Sequence, residues 1–308
     1  MTDLQQHSAA PAAAPATPQP PRVGAIGSRR PRRFVMIAVL AVIAVLVGAA
    51  GPWAYAMVTG GGSAKDRIAA DPPPPLFADT TIAPLGPQID GQAATARRLM
   101  ARWWAGHDTR PHDAAFTAWL QRSLPKPPAP TVRAAELRRV QALATTRTAS
   151  GVAAATWLES HGKKDVWKLY AHDQAEVASA SVGDRRKQEL KDMLKLSKTV
   201  ADTLGVRYQQ SAPYVLDPSL RPDHTVTPGQ VCPCSYPSRH AAAGAAARLF
   251  LSHFEPHMDA EYRWMEDEIA YSRVYMAGHV PSDIRGGALL GDMIGEYFLV
   301  TRGHRQIS

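Results

Sequence analysis

The most informative stretch of the chain is YSRVYMAGHVPSD, residues 271–283, which places an arginine, a histidine and an aspartate in one short segment near the C-terminus. A second stretch, YPSRH at residues 236–240, lies upstream and ends in another histidine. Two histidines, a fixed cation and a carboxylate that orients one histidine are the groups that phosphoryl transfer without a metal requires. The sequence therefore predicts a phosphoryl-transfer site that is built from these two segments.

The two stretches resemble motifs of the type 2 phosphatidic acid phosphatase superfamily. This superfamily includes bacterial class A non-specific acid phosphatases, lipid phosphate phosphatases and vanadium haloperoxidases. Its third motif reads Ser-Arg, five residues, His, three residues, Asp, and every fixed position is matched here, by Ser272, Arg273, His279 and Asp283. Its second motif reads Pro-Ser-Gly-His and is matched, except at the glycine, by Pro237, Ser238 and His240. The resemblance implies a compact all-α helical bundle of the acid phosphatase/vanadium haloperoxidase type.

The resemblance also implies roles for the matched side chains. His279 is expected to attack phosphorus and form a phosphohistidine, while Asp283 accepts the other ring N–H and fixes the tautomer. His240 is expected to protonate the leaving oxygen. Arg273 is expected to bind the phosphate oxygens through paired donors.

Two further residues of the second motif are candidates for phosphate binding. The Ser238 hydroxyl and the amides of the following helix can donate to an anion, because helix N-termini favour negative charge. A plain N-cap role is the alternative for Ser238. Arg239 replaces a glycine that would let the backbone approach the anion closely. Its guanidinium either adds a cation to the site or crowds it, and the sequence leaves both outcomes open.

The first motif of the superfamily, a lysine, six residues and then Arg-Pro, is matched poorly. In one frame the segment 212–214 (Ala-Pro-Tyr) takes the Arg-Pro-aromatic position and Gly205 takes the lysine position, so both cations are absent. In the other frame Arg221-Pro222 keeps the Arg-Pro pair and Tyr214 replaces the lysine. The loss of each charge-assisted donor reduces the stabilisation of the transition state by on the order of 2–4 kcal/mol. Charge from another backbone position is available from Arg207, Arg221 and Arg239.

The N-terminal part of the chain predicts a tail and a membrane anchor. Residues 1–33 are rich in alanine and proline and end in a cluster of arginines, which indicates a disordered basic tail. Residues 34–58 carry no charge, and at about 1.5 Å per residue such a helix is long enough to span the roughly 30 Å hydrocarbon core. The arginines favour a cytoplasmic N-terminus, so we expect a single-pass anchor in the inner membrane and a periplasmic or otherwise extracytoplasmic catalytic domain. A cleaved signal peptide is the alternative, and it exports the domain as well.

The remaining residues predict a linker and one helical domain. Residues 59–130 contain glycine- and proline-rich punctuation and a short helical pattern at 93–106, which indicates a linker with a short helix. Residues 131–305 show apolar residues at helical spacing in several segments and no strand pattern. We predict that they form the phosphatase-like helical domain.

The composition argues against several other functions. The net charge of the 308 residues is +8, but part of it lies in the N-terminal arginines, and no basic stripe is interleaved with aromatic residues. Nucleic-acid binding is therefore not expected. The chain has no metal-ligand cluster at a diagnostic spacing, no P-loop and no Gly-x-Ser-x-Gly elbow, so no metal or organic cofactor is expected.

The two cysteines, Cys232 and Cys234, are separated by one residue. A disulfide over so short a loop is expected to be strained, and two thiolates alone make a poor zinc site. A pair of free loop thiols is the favoured interpretation, with a disulfide or a metal role as the alternatives.

Together these features predict a membrane-anchored, exported phosphomonoesterase of the acid phosphatase kind that acts on phosphate monoesters. One alternative is a degenerate domain that binds an anion or a partner, which the poorly matched first motif suggests. Another is a vanadate-dependent haloperoxidase, because a pocket of this family can hold vanadate as an inhibitor or a cofactor. The sequence predicts neither the individual substrate nor the oligomeric state.

Overall fold

The computed structural model of the protein describes residues 62–224 and 234–307. These ranges contain no named strand, and the expected all-α class is confirmed for them. Two short 3-10 helices are present, Pro218–Leu220 and Pro256–Met258. The α-helices are, in chain order, α1 (Ala64–Ala70), α2 (Asp79–Ile82), α3 (Gly86–Trp104), α4 (Asp113–Ser123), α5 (Pro130–Ala144), α6 (Ala149–His161), α7 (Asp165–Val177), α8 (Ala180–Tyr208), α9 (Pro213–Leu216), α10 (Arg239–Phe254), α11 (Asp259–Tyr275) and α12 (Pro281–Thr301).

Helices α10 and α12 form the centre of the bundle and are buried over most of their length. Their backbones approach closely because α10 is rich in alanine and α12 carries glycines at the contact. A Cβ atom added at Gly287 would lie 2.4 Å from the Ser238 carbonyl oxygen, and one added at Gly291 would lie 2.4 Å from the Ala242 carbonyl oxygen. Helices α3, α8 and α11 pack around this pair. The close contact fixes the start of α10, which carries His240, against the start of α12, which carries Asp283.

The structure differs from the sequence-based prediction over residues 59–130. The described part of this region holds four helices, α1 to α4, rather than a linker with a short helix. Their apolar side chains, among them Met100, Trp103 and Phe116, are buried in the same core as the C-terminal helices. Trp104 also donates from Nε1 to Glu296 Oε1 of α12 over 3.0 Å. These helices are part of the bundle because their apolar faces complete the burial of α12.

Two other sequence-based predictions concern the N-terminal segments and the cysteines. The predicted tail at residues 1–33 and the predicted anchor at residues 34–58 lie outside the described residues. Among the helices within the described ranges, none has both the length and the hydropathy to cross a membrane. Cys234 is disulfide-bonded, so the expectation of free thiols is wrong for this residue. Disulfide formation is typical of oxidising compartments outside the cytosol.

Candidate active site

The two histidine motifs meet in one cleft of about 360 Å³. It lies where the start of α10 and the turn between α11 and α12 approach the C-terminal ends of α6 and α8. The sequence-predicted residues that line it are His240, His279, Arg273 and Arg239. Residues far apart along the chain therefore share one pocket, as the motifs predict.

A tight turn places His279 beside Arg273. Helix α11 ends at Tyr275, and Ala277 then takes a left-handed conformation with φ of 56°. The chain reverses, and the backbone N–H groups of Gly278 and His279 both donate to the Arg273 carbonyl, over 3.0 and 3.2 Å. A Cβ atom at Gly278 would lie 2.9 Å from Arg273 Nη2, so glycine is the residue that leaves room for the guanidinium.

The tautomer of His279 is set by a backbone carbonyl. Its Nδ1 lies 2.8 Å from the Ser235 carbonyl oxygen, which can only accept. A neutral ring that donates from Nδ1 carries its lone pair on Nε2. The ring is thus in the tautomer that a nitrogen nucleophile requires.

Asp283 does not make the expected hydrogen bond to this ring. The distance from His279 Nδ1 to Asp283 Oδ2 is 3.8 Å, which is an ion-pair distance. The carboxylate instead accepts from the Val280 backbone N–H over 3.0 Å and from Arg133 Nη1 over 2.5 Å. Burial raises the pKa of the Asp283 carboxyl, but the neighbouring His279 and Arg133 outweigh burial and hold it below the ordinary value. Asp283 is therefore an ionised group behind the ring, and Ser235 provides the acceptor.

His240 is buried and neutral in the resting site. Its Nε2 donates to the backbone carbonyl of Glu159 over 3.0 Å. Burial and then the positive charge of Arg273 hold the pKa of His240 well below its ordinary value. In this state the ring's one N–H is already used, so His240 can donate to a leaving group only after it takes up a proton.

Arg273 has the donors that a tetrahedral anion needs. Its Nη2 donates to Glu159 Oε1 over 2.9 Å. Its Nε and Nη1 are buried and have no hydrogen-bond partner among the described residues. Unsatisfied buried guanidinium donors are costly, and Arg273 lines the cleft, so an anion that reached these two nitrogens would offset the cost. This pair of donors is the clearest sign of an anion site.

Glu159 is a site residue that the sequence did not reveal. It lies on α6 and lines the cleft, and its carboxylate contacts Arg273 and, over 3.3 Å, Arg221 Nη1. Burial raises the pKa of Glu159, but Arg273 and then Arg221 outweigh burial and hold it below the ordinary value. Glu159 is followed by Ser160 and His161 and belongs to no motif, so only the folded contacts could identify it.

The other predicted cations are placed differently. Arg239 lines the cleft but lies 3.6 Å from Asp202, a second acidic residue of the lining. Arg221 is buried and is not among the residues that line the cleft, but its Nη1 lies 3.3 Å from Glu159 Oε2 and its guanidinium lies over the ring of Tyr214, both of which do line it. Arg207 is exposed, donates to the Gln121 carbonyl over 2.6 Å and does not line the cleft.

Ser238 serves the start of α10. It is fully buried, and its hydroxyl accepts from the Ala241 backbone N–H over 3.4 Å, which is the N-cap alternative. It is not among the residues that line the cleft.

The lining of the cleft favours one frame of the first motif. Gly205 and Ala212 both line it, at the positions where that frame puts them in place of the family's lysine and arginine. A Cβ atom at Gly205 would lie 3.1 Å from Cys234 Cβ, so this position is also sterically tight. The cleft thus has two arginines, Arg273 and Arg239, and each lies beside a carboxylate, Glu159 and Asp202 respectively. The family pattern has additional cations at the positions of Gly205 and Ala212.

A comparison with protein families agrees with the motifs. The model of the PAP2 superfamily matches residues 193–306, which include both histidine motifs and helices α10, α11 and α12. This match supports membership of the type 2 phosphatidic acid phosphatase superfamily for the C-terminal part of the chain. Members of that superfamily are generally phosphatases. No curated protein matches the chain.

Proposed function

We propose that the protein is a phosphomonoesterase that acts through a phosphohistidine at His279. The proposal is supported most directly by one observation. His240, His279 and Arg273 line a single cleft, and two buried guanidinium nitrogens of Arg273, Nε and Nη1, have no hydrogen-bond partner among the residues that the structure describes. An orthophosphate monoester has the tetrahedral oxygens that would accept from them.

In the first step His279 Nε2 attacks phosphorus in line with the ester oxygen. The N–P bond forms with the imidazole lone pair, and the P–O bond to the alcohol breaks. Protonated His240 gives its proton to the leaving oxygen, so the alcohol departs neutral. Arg273 donates to the equatorial oxygens, where charge is concentrated in the transition state.

In the second step water attacks the phosphohistidine. Neutral His240 takes a proton from the water, the N–P bond breaks, and its electron pair returns to the His279 ring. Phosphate leaves and the two histidines regain their starting roles. Neither step uses a metal, because histidine supplies the nucleophile and arginine supplies the positive charge.

The resting state of His240 sets the conditions for catalysis. A low pKa keeps the buried ring neutral, and a phosphate dianion beside it favours the protonated form. Acidic solution has the same effect. The site therefore supports an acid phosphatase.

The chain is proposed to work at a membrane. Residues 34–58 serve as a single-pass anchor, and the arginines before them keep the N-terminus cytoplasmic. The helical domain then lies on the periplasmic or extracytoplasmic side. The disulfide at Cys234 supports an oxidising location.

The activity is tested with full-length protein and an aryl phosphate in EDTA, at several values between about pH 4 and pH 8. We expect turnover that persists in the chelator and falls to background in His279→Ala. Exposed His257 provides the control, and His257→Ala should keep the activity. Loss of turnover on chelation, or full activity in His279→Ala, would contradict the mechanism.

A degenerate anion-binding domain is the second candidate, and a specific observation favours it. Gly205 and Ala212 line the cleft where the family has cations, and Glu159 already contacts Arg273. This candidate predicts phosphate or vanadate binding that depends on Arg273, with no turnover by the wild-type protein. Measurable turnover that disappears in both His279→Ala and His240→Ala would reject it.

A further inference from the structure

Helix α5 lies outside the segments that carry the two motifs, and its Arg133 contacts two residues next to the His279 ring, Asp283 and Ser235. Arg133 Nη1 donates to Asp283 Oδ1 over 2.5 Å, and Nη2 donates to Ser235 Oγ over 3.1 Å. The Arg133 side chain is 11% exposed and that of Asp283 is fully buried, so the pair is shielded from water. We infer that Arg133 is a positioning residue for His279. This inference rests on the proposed function, in which His279 is the nucleophile.

The geometry supports a positioning role because one guanidinium holds both neighbours of the ring nitrogen. Ser235 provides the carbonyl that accepts from His279 Nδ1, and Asp283 provides the negative charge 3.8 Å from the same nitrogen. A planar fork with fixed donors can hold two acceptors at a set separation, which a flexible ammonium group does less well. Displacement of Arg133 would therefore move the acceptor and the charge together.

A second residue of α5, Glu136, contacts the first turn of α12. Glu136 Oε2 accepts from Ser282 Oγ over 2.5 Å, and Oε1 accepts from Arg285 Nη2 over 2.8 Å. Arg133 and Glu136 are three positions apart and lie on one face of the helix. Ser282 and Arg285 flank Asp283 in the chain, so α5 fixes the start of α12 on both sides of the aspartate.

Helix α5 spans Pro130–Ala144, whereas the superfamily model matches residues 193–306. The support for the nucleophile therefore comes from a part of this chain that the family match does not include. An ion pair that only stabilised the fold would leave the chemistry of His279 unchanged, which is the distinction to test.

The charged and titratable groups described around Asp283 are His279 from its own turn, Arg133 from α5 and Tyr236 from the loop before α10. Removal of the Arg133 charge would raise the Asp283 pKa, because burial raises this pKa and one of the groups that lowers it would be gone. Asp283 would become protonated at a higher pH. The acid limb of the kcat profile is then expected to move to higher pH.

The experiment compares Arg133→Gln and Arg133→Lys with Arg139→Gln, an exposed arginine on the same helix. In full-length protein we expect Arg133→Gln to lower kcat by about 10- to 100-fold with little change in KM, and to move the acid limb upward. Arg133→Lys keeps the charge, so it should leave the acid limb in place and recover part of kcat. Arg139→Gln should match the wild type.

A second readout does not require turnover. Nuclear magnetic resonance of the resting protein can follow the Asp283 carboxyl titration and the His279 ring-nitrogen shifts in wild type and in both Arg133 variants. The inference predicts that the Asp283 carboxyl titrates at a higher pH, and that the His279 ring is a mixture of tautomers, in Arg133→Gln only. Unchanged titration and tautomer in a folded Arg133→Gln protein would overturn it. Absence of wild-type turnover would instead overturn the proposed function, so the two failures are distinguishable.

Discussion

Glu159 and Arg273 form an ion pair inside the candidate active site, with Oε1 of the glutamate 2.9 Å from Nη2 of the arginine. The contact directs one edge of the guanidinium toward α6, and within residues 62–224 and 234–307 Nε and Nη1 have no hydrogen-bond partner. It also places a negative charge beside the position that an anion would occupy. Glu159 therefore has two opposite effects on phosphate binding. It orients the Arg273 donors, which favours binding, and its negative charge repels the anion.

The first prediction concerns this carboxylate. Glu159→Gln keeps an acceptor for Arg273 and removes the negative charge, so we expect inorganic phosphate to bind about fivefold more tightly. The measurement is the competitive inhibition constant of phosphate, or calorimetric binding if turnover is low.

Asp202→Asn is the comparison for Glu159→Gln, because Asp202 also lines the cleft but contacts Arg239 instead of Arg273. It should change phosphate affinity less. Weaker phosphate binding by Glu159→Gln would show that orientation of Arg273 matters more than charge, contrary to this prediction.

The second prediction separates acid catalysis by His240 from a structural role. A leaving alcohol of high pKa needs a proton, whereas a nitrophenolate does not. His240→Ala is expected to lower kcat by about 100-fold more for an alkyl phosphate than for p-nitrophenyl phosphate. Equal losses for the two substrates would point to a misfolded site.

The pH profile gives a further measure of His240. The first step needs the protonated ring, and burial lowers its pKa in the free enzyme, so kcat/KM should fall as pH rises through a value below the ordinary histidine pKa of about 6.5. This alkaline limb should be weaker for the nitrophenyl substrate. A limb well above neutral pH would argue that another group supplies the proton.

The third prediction addresses the absent cations. Ala212→Arg returns a guanidinium to a position that lines the cleft, and an added transition-state donor is worth on the order of 2–4 kcal/mol. We expect kcat/KM for an aryl phosphate to rise about 30-fold.

Ala212 is buried, so a larger side chain can also disturb packing. Ala212→Met is the control for bulk without charge and should lower kcat/KM or leave it unchanged. If the arginine and methionine variants behave alike, the position does not contribute to anion stabilisation.

The fourth prediction tests the close packing of α10 and α12. A Cβ atom at Gly291 would lie 2.4 Å from the Ala242 carbonyl oxygen, which is backbone and cannot move aside. Gly291→Ala is expected to lower the free energy of unfolding by about 1–3 kcal/mol, measured by denaturant titration.

Gly91 in α3 provides a matched control for this substitution. It is exposed, and an added Cβ would meet no atom within 4 Å. Gly91→Ala should raise the free energy of unfolding by about 0.5–1 kcal/mol, because alanine favours helix more than glycine does. Equal effects of the two substitutions would contradict the helix packing described above.

The sequence predicted the convergence of His240, His279 and Arg273 because their spacing follows known motifs. It could not predict Glu159 or Arg133, which lie on helices without a motif and reach the site through tertiary packing. The acceptor for His279 is a backbone carbonyl, and every residue has one, so no side-chain pattern can indicate it. Asp283 is correctly placed near the ring, but its hydrogen bonds go to Val280 and Arg133.

The fold was predicted well where apolar periodicity is regular and less well between residues 59 and 130. Prolines 125, 127, 128 and 130 suggested the boundary between the predicted linker and the helical domain. In the structure they follow α4, whose Phe116 and Leu120 are fully buried in the shared core. Proline marks the end of a helix in either case, and only packing shows whether the core continues across it.

The central claim is that His279 forms a covalent bond to phosphorus. Full-length protein is mixed with a radiolabelled phosphate monoester at acidic pH, the reaction is stopped in base, and the labelled peptide is sequenced. The account predicts a base-stable, acid-labile phosphohistidine at His279 that is absent from His279→Ala and retained in His257→Ala. Label on any other residue, or phosphate release by His279→Ala at the wild-type rate, would contradict it.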